Sequence, residues 1–296
     1  VAAAAQPAKS GEPLVILAGG GDFPVAVARR AVALGVSVLV VGIRDEAGSE
    51  IAQFPHDWVK RGELGRLFRI VRRFRARRIC LIGTIRERRL PTWREVDVIG
   101  LLTVFRFRRL LLGGDDSVLR KIARLFEARG LAIVSAADIA PELLAPRGSL
   151  GRVSPSAQDR RDIEVARAAA LDLGRRDLGQ AVVAADGVVV ALEDRTGTDH
   201  LLDRVASDRQ GTGARGGVLL KCLKPGQDPR LDMPAIGPTT VDNAARAGLA
   251  GIAVEARRTL VTDRDAVVAR ADEMGLFVHG FTSEFDLDQV SDGELT

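Results

Sequence analysis

Residues 14–18, LVILA, run directly into Gly19-Gly20-Gly21, and Asp22, Phe23 and Pro24 lead on into a helix-like stretch from Val25 to Leu34. An apolar strand, a glycine turn and a helix in that order constrain the chain more than any other feature. They open a parallel α/β domain, with backbone N–H groups able to face a phosphate. Further buried strands are expected at Val36–Val41, Ile79–Gly83 and Leu131–Val134, alternating with helical patterns, so the N-terminal domain reads as α/β, Rossmann-like and doubly wound on a parallel sheet. As a dinucleotide fingerprint the turn is weak, because the third glycine of G-x-G-x-x-G falls on Pro24. Asp45 lies at a plausible distance for a ribose partner, which keeps a nicotinamide-dependent oxidoreductase as an alternative.

The second half is patterned differently. After an amphipathic stretch from Asp159 to Leu173, residues 180–193, QAVVAADGVVVALE, read as two strands joined by Asp186-Gly187, a hairpin dipeptide. Helical patterns follow Thr196-Gly197-Thr198-Asp199, Thr240 and Arg264, with apolar strands at Gly251–Glu255 and Leu276–His279. This is a second, distinct α/β domain containing a β-hairpin. Pro141, Pro146, Gly148, Gly151 and Pro155 mark a linker before it. The expected organisation is a disordered tail over 1–12, the Rossmann-like domain over 13–140, a linker over 141–158, a C-terminal catalytic domain over 159–281 and an acidic tail over 282–296.

Charge separates the halves as well. Residues 1–130 hold 24 Lys and Arg against 13 Asp and Glu, and the remainder 19 against 26. A basic half suggests an anionic partner. Within it, residues 60–78 place Leu64, Leu67, Phe68, Ile70, Val71 and Phe74 at helical spacing with arginines opposite. That pattern suits a packed helix with a solvated charged face first, and a membrane-surface or anion-binding helix second. Arg86, Arg88, Arg89, Arg106, Arg108 and Arg109 add to the same half. The chain has no Tyr, few aromatics near its basic runs and no reader motif, which disfavours nucleic acid. Cys80 and Cys222 sit in separate apolar runs, as in a reduced, intracellular protein without disulfides or a Cys-based zinc site. No apolar run reaches the length of a membrane span.

The chemistry on offer is carboxylate chemistry. G-x-S-x-G is absent, and His56, His200 and His279 stand apart without metal-ligand spacing. From Lys221 to Val241 runs KCLKPGQDPRLDMPAIGPTTV, in which Pro225, Pro229, Pro234 and Pro238 enforce a shaped, extended loop. Lys224, Gln227, Asp228, Arg230 and Asp232 set two carboxylates beside two cations, a combination suited to a divalent metal and a phosphate, and equally to a solvated connecting loop. Glu193, Asp199 and Glu255 fall at strand ends or just beyond, where α/β folds gather ligands. A strand end accounts for Glu255 equally well, and a helix cap for Asp199. Asp116 or Ser117, after Gly113-Gly114, suits capping of the helix that follows.

Six stretches together carry a resemblance: LAGGGDFP (17–24), LGRRDLGQAVVAADGVVVALE (173–193), GTD (197–199), KPGQDPRLDMPAIGPTTV (224–241), AGLAGIAVEA (247–256) and ADEMGLFVHG (271–280). They resemble the LpxI-type UDP-2,3-diacylglucosamine pyrophosphatases of lipid A biosynthesis over nearly the whole chain except the tails. Arg257-Arg258 departs from the pattern, in which a glycine is expected first. The resemblance implies hydrolysis of UDP-2,3-diacylglucosamine to UMP and 2,3-diacylglucosamine 1-phosphate (lipid X), with water attacking phosphorus and a divalent metal, Mg or Mn. It implies an essential loop aspartate, carried here to Asp228 with Asp232 as the alternative. The catalytic set is then Asp228, Asp232, Lys224 and Arg230, and the metal ligands Asp228, Asp232, Asp199, Glu193 and Glu255. Gly19, Gly20, Gly21, Asp22, Gln227, Thr239 and Thr240 are the expected substrate contacts. Expected partners are the substrate, lipid X and the cytoplasmic face of the inner membrane by peripheral contact, and a homodimer is compatible with the chain. A non-catalytic lipid- or nucleotide-binding module is the remaining alternative.

Overall fold

The strand, glycine turn and helix that open the chain form in that order: β1 (Leu14–Ala18) ends at the glycines and α1 (Phe23–Ala33) follows with a proline in its first turn. The structure is a computed structural model that describes residues 12–85, 96–97, 99–100, 115–210 and 216–282. Arg86, Arg88, Arg89, Arg106, Arg108, Arg109 and Gly113-Gly114 lie outside the described residues, as do residues 1–11 and 283–296. Packing divides the chain into two units. One comprises the chain up to Glu142 together with Gln227–Met233; the other comprises Leu143–Gly226 and the chain from Pro234 onward.

The first unit continues with β2 (Val38–Ile43), β3 (His56–Val59), α2 (Leu64–Arg73), β4 (Arg78–Ile82), α3 (Asp115–Glu127), β5 (Ala132–Ile133) and a short helix α4 (Ala136–Ile139). Its strands form one parallel sheet in the order β3-β2-β1-β4-β5. Sequence order reverses between β1 and β4, and open α/β sheets bind ligands at the carboxyl ends of strands at such a switch point. β3 escapes a reading for buried strands because HDWV lies at the sheet edge and is too polar. Val15, Val41, Ile79 and Ile133 face Leu67 and Val71 of α2 and Ala123 and Phe126 of α3 in one core cluster. Leu14, Ile16 and Val40, pointing to the other face, are also buried, and α1 packs on that sheet through β1 and β2. Period-two alternation with both faces buried makes these strands continuous apolar runs. α4 is short but well specified: Ser135 Oγ accepts from the Ala137 N–H at 3.1 Å, and Asp138 accepts from the Ser135 N–H.

The second unit holds β6 (Gly148–Ser149), α5 (Ala157–Arg175), β7 (Ala181–Ala185), β8 (Val188–Leu192), α6 (Thr198–Asp208), β9 (Val218–Lys221), β10 (Ala235–Ile236), α7 (Pro238–Arg246), β11 (Gly251–Glu255), β12 (Leu260–Val261), α8 (Arg264–Met274) and β13 (Phe277–Phe281). Its main sheet is mixed, in the order β6-β13-β11-β9-β7-β8. β9, β11 and β13 run parallel, while β7 and β6 are antiparallel to their neighbours β9 and β13. The Asp186-Gly187 turn joins β7 to β8 as expected, with both residues at positive φ (54° and 78°) as that turn requires. Alternation again sorts the core. Val183, Leu219, Ile252, Val254 and Val278 pack with Leu201, Leu202, Val241 and Val267 of α6, α7 and α8. Val182, Leu220, Ala253 and Phe277 pack with Ile163, Ala166 and Ala170 of α5 on the other face. The chain is thus α/β throughout, with a parallel-sheet first unit and a distinct second one carrying the hairpin. Among the described residues no helix is long and apolar enough to cross a membrane.

Candidate functional site

The proline-rich loop departs from the end of β9. Its first part is held by the second unit. Lys221 is buried and its Nζ donates to the Ala235 carbonyl at 2.9 Å, tying the start of the loop to its return strand β10. The Leu223 N–H donates to Glu255 Oε2 at 3.0 Å, and Lys224 Nζ bonds Asp177 Oδ1 at 2.7 Å. Pro225 lies against Gly174 of α5, where a Cβ would come within 2.8 Å of the proline ring. Gly226 then turns the chain at φ 80°. After the charged segment, Pro234 and Ile236 accept from the Leu260 and Thr262 N–H groups, and the loop returns as β10 beside β12.

Gln227–Met233 belongs to the first unit. Leu231 is the apolar anchor, buried in the cluster of Val15, Val41 and Leu67. Ser135 Oγ donates to the Pro229 carbonyl at 3.4 Å. The N–H groups of Leu231 and Asp232 both donate to the Asp228 carbonyl, so Asp228 to Asp232 form a single helical turn. Two carboxylates four residues apart in such a turn stand on one side of it. Arg230 embraces Asp228: its backbone N–H reaches Oδ1 at 3.0 Å, Nε reaches Oδ1 at 3.1 Å and Nη2 reaches Oδ2 at 2.7 Å. Nη1 bonds Glu127 Oε1 at 3.2 Å. Gln227, itself buried, donates Nε2 to Asp232 Oδ2 at 2.6 Å. The Arg230 side chain holds the Asp228 carboxyl below its ordinary range against the opposing effect of partial burial, with the backbone N–H adding to it. The same hydrogen bond raises the guanidinium. At neutral pH Asp228 is a fixed anion and Arg230 a fixed cation.

The other sequence candidates have their own local partners. Glu193 Oε2 accepts from the N–H groups of Gln180 (2.6 Å) and Ala181 (3.1 Å), and Oε1 from Thr198 Oγ1 (2.6 Å), so it clamps β7 to the start of α6. Glu255 binds the Leu223 N–H and Arg258 Nη1. Asp199 Oδ1 accepts from Asn243 Nδ2 at 2.9 Å, joining the first turn of α6 to α7. Thr240 Oγ1 accepts from the Gly237 N–H at the start of α7, and Thr239 is exposed beside it. In the glycine turn, Gly19 N–H donates to Ile82 O and Gly20 N–H to Thr84 O, so those two donors are engaged by β4 and the residues after it. A Cβ at Gly19 would lie 2.7 Å from that Thr84 oxygen, which is why only glycine fits. Gly21 (φ 86°) has open space around it, and Asp22 is exposed and makes no side-chain cap to α1.

Three residues of the loop's support were not legible as candidates. Lys221 had a faint signal, a lone cation at the end of the apolar run VLL. Asp177 and Glu127 had none, because they lie 47 and 103 residues from the cations they bind. Among the described residues, no three His, Cys, Asp or Glu side chains gather into a group able to hold an ion. Glu193 has its oxygens on two backbone N–H groups and the Thr198 hydroxyl, and Glu255 on the Leu223 N–H and the Arg258 guanidinium. Both oxygens of Asp228 are likewise engaged, by Arg230, and Asp232 Oδ2 accepts from Gln227; an ion such as Mg²⁺ commonly takes one or two carboxylates and completes its shell with water and substrate phosphate oxygens.

Two family models match the chain, the LpxI N-terminal domain over residues 13–143 and the LpxI C-terminal domain over residues 146–279. A protein of Caulobacter vibrioides named UDP-2,3-diacylglucosamine pyrophosphatase LpxI is 39% identical over 275 residues, which span 90% of this chain and 96% of that relative.

Proposed function

The chain belongs to the LpxI family, and on that premise we propose that it hydrolyses the pyrophosphate of UDP-2,3-diacylglucosamine to UMP and 2,3-diacylglucosamine 1-phosphate in lipid A biosynthesis. The observation that carries this reading beyond family membership is the Asp228–Asp232 turn, an ionised carboxylate and a permanent cation paired within one loop. A carboxylate held below its ordinary pKa is a weak general base near neutrality, so Asp228 orients the attacking water more than it deprotonates it. Arg230 offers its charge to phosphate oxygens, and Lys224, anchored by Asp177, supplies a second cation from the start of the same loop. Gln227 fixes Asp232 so that its carboxylate does not wander. Gly21 and Asp22, at the carboxyl end of β1, are assigned to substrate contact, and Thr239 and Thr240 likewise at the start of α7. A divalent ion, Mg²⁺ or Mn²⁺, would be held by Asp228 and Asp232, and when bound it would neutralise charge developing on the phosphates.

The test is release of UMP from detergent-dispersed UDP-2,3-diacylglucosamine with Mg²⁺, with Mn²⁺ and with EDTA, for the wild type and Asp228→Ala. The expected result is metal-dependent turnover in the wild type and a loss of at least about 100-fold in the variant, which still binds substrate. Undiminished turnover in Asp228→Ala would move the chemistry to Asp232, and no turnover with any metal would leave a binding protein. The proposal also places the enzyme at the cytoplasmic face of the inner membrane by peripheral contact, as the basic N-terminal half suggests.

A further inference from the structure

At the end of the first unit's sheet opposite the glycine turn, α2 and α3 finish beside the entries to β4 and β5 and enclose a cleft of about 830 Å³. Its floor is apolar, made by Phe68, Val71 and Leu131, and its rim carries Arg72, Arg75, Arg77 and Arg129. We propose that this cleft binds the phosphate headgroups of anionic phospholipids and docks the first unit on a negatively charged bilayer. The proposal rests on the reading of the substrate as a lipid, and it assigns the membrane contact to named residues.

Arginines elsewhere in the described chain are commonly paired: Arg66 with Asp57, Arg176 with Asp172, and Arg246 with Asp203. Among the described residues Arg72, Arg75 and Arg77 have no carboxylate partner. Glu127, the last residue of α3, pairs with Arg230 instead. Two helix carboxyl ends account for part of this charge, since each carries roughly half a negative elementary charge. Four guanidinium groups exceed that by about three charges, and the excess faces solvent.

Arg75 adds an independent indication. It follows the end of α2 with φ 57°, in the left-handed position where glycine is normally found. An arginine held in a strained conformation that glycine would adopt freely points to a use for its side chain. Arg129 is fixed too: its guanidinium lies 4.3 Å from the centre of the Phe68 ring, and Nη1 donates to the Leu125 carbonyl. This covered ring also decides against nucleic acid, which needs free aromatic faces along an extended basic track. Short apolar walls beneath a ring of guanidinium groups match a phosphate headgroup and the first carbons below it.

The experiment is sedimentation of the full chain with vesicles of phosphatidylcholine alone and of phosphatidylcholine with phosphatidylglycerol. Wild type is expected to bind only the anionic vesicles and to be released by salt. Arg75→Ala/Arg77→Ala is expected to lower vesicle partitioning on the order of 30-fold, at about fivefold per arginine. Arg75→Lys/Arg77→Lys is expected to retain binding, which controls for folding. UMP release from detergent-dispersed substrate should be unchanged in both variants. Equal partitioning of wild type and the Ala variant would overturn the proposal, as would the absence of any preference for anionic vesicles. Release from vesicles by inorganic phosphate at an ionic strength where sodium chloride has no effect would assign the cleft to a soluble anion and overturn docking. Wild type that binds these vesicles but releases no UMP would sink the catalytic reading alone, and turnover without vesicle binding would sink docking alone.

Discussion

Asp228 is bonded by the backbone N–H, Nε and Nη2 of the residue two positions on. That pairing lowers its folded pKa below the unfolded value of about 4. A depressed carboxylate contributes stability that is fully present above its unfolded pKa and is lost as pH falls through the folded one. Asp228→Asn should therefore be less stable than wild type at pH 7, by on the order of 1 kcal/mol because Arg230 is substantially exposed and its charge screened. The gap should close below about pH 4, and urea denaturation across that range would measure it. Glu193 makes the contrasting case. Its carboxylate accepts one buried and one partly buried backbone N–H and a hydroxyl, so Glu193→Ala should cost about 2–3 kcal/mol through stranded donors. Where that variant remains folded, its Mg²⁺ dependence should match wild type. A changed metal requirement would restore Glu193 as a ligand.

At the scale of elements, the proline-rich loop is positioned by close approach more than by its own regularity. Gly174 lets α5 meet Pro225 and Lys224, and a Cβ there would sit 2.8 Å from the proline ring and 3.2 Å from the Lys224 Cα. Ala is the better helix former by about 1 kcal/mol. Overpacking against backbone costs typically about 1–3 kcal/mol, so the clash wins. Gly174→Ala is expected to lower the melting temperature and, by displacing Lys224, to reduce turnover more than substrate affinity. An unchanged kcat would mean the loop absorbs the shift. The sequence showed the loop's prolines and charges plainly, because those are local chemistry. It did not show β10 or β12, two-residue strands that form by pairing with each other.

For the whole molecule, the decisive fact is that the chain leaves the second unit after Gly226, lends Gln227–Met233 to the first, and returns at Pro234. Leu231 holds that excursion in place. Leu231→Ala should cost about 2–4 kcal/mol, as buried leucine truncations do, and should depress turnover because the Asp228 turn loses its apolar anchor. Denaturation and UMP release on the same preparation would test both effects, and lost stability with full turnover would separate anchor from chemistry. The sequence by itself determined the α/β class, the parallel first sheet, the hairpin and the family, because strand alternation, glycine turns and capping residues act within a few positions of one another. Only the tertiary structure decided which carboxylates are spent on backbone donors and which arginines, among the described residues, have no carboxylate partner. Those pairings join residues such as Lys224 and Asp177 or Arg230 and Glu127, brought together by the packing of whole sheets. No local pattern encodes a partner that far away, since its approach depends on every element folded between.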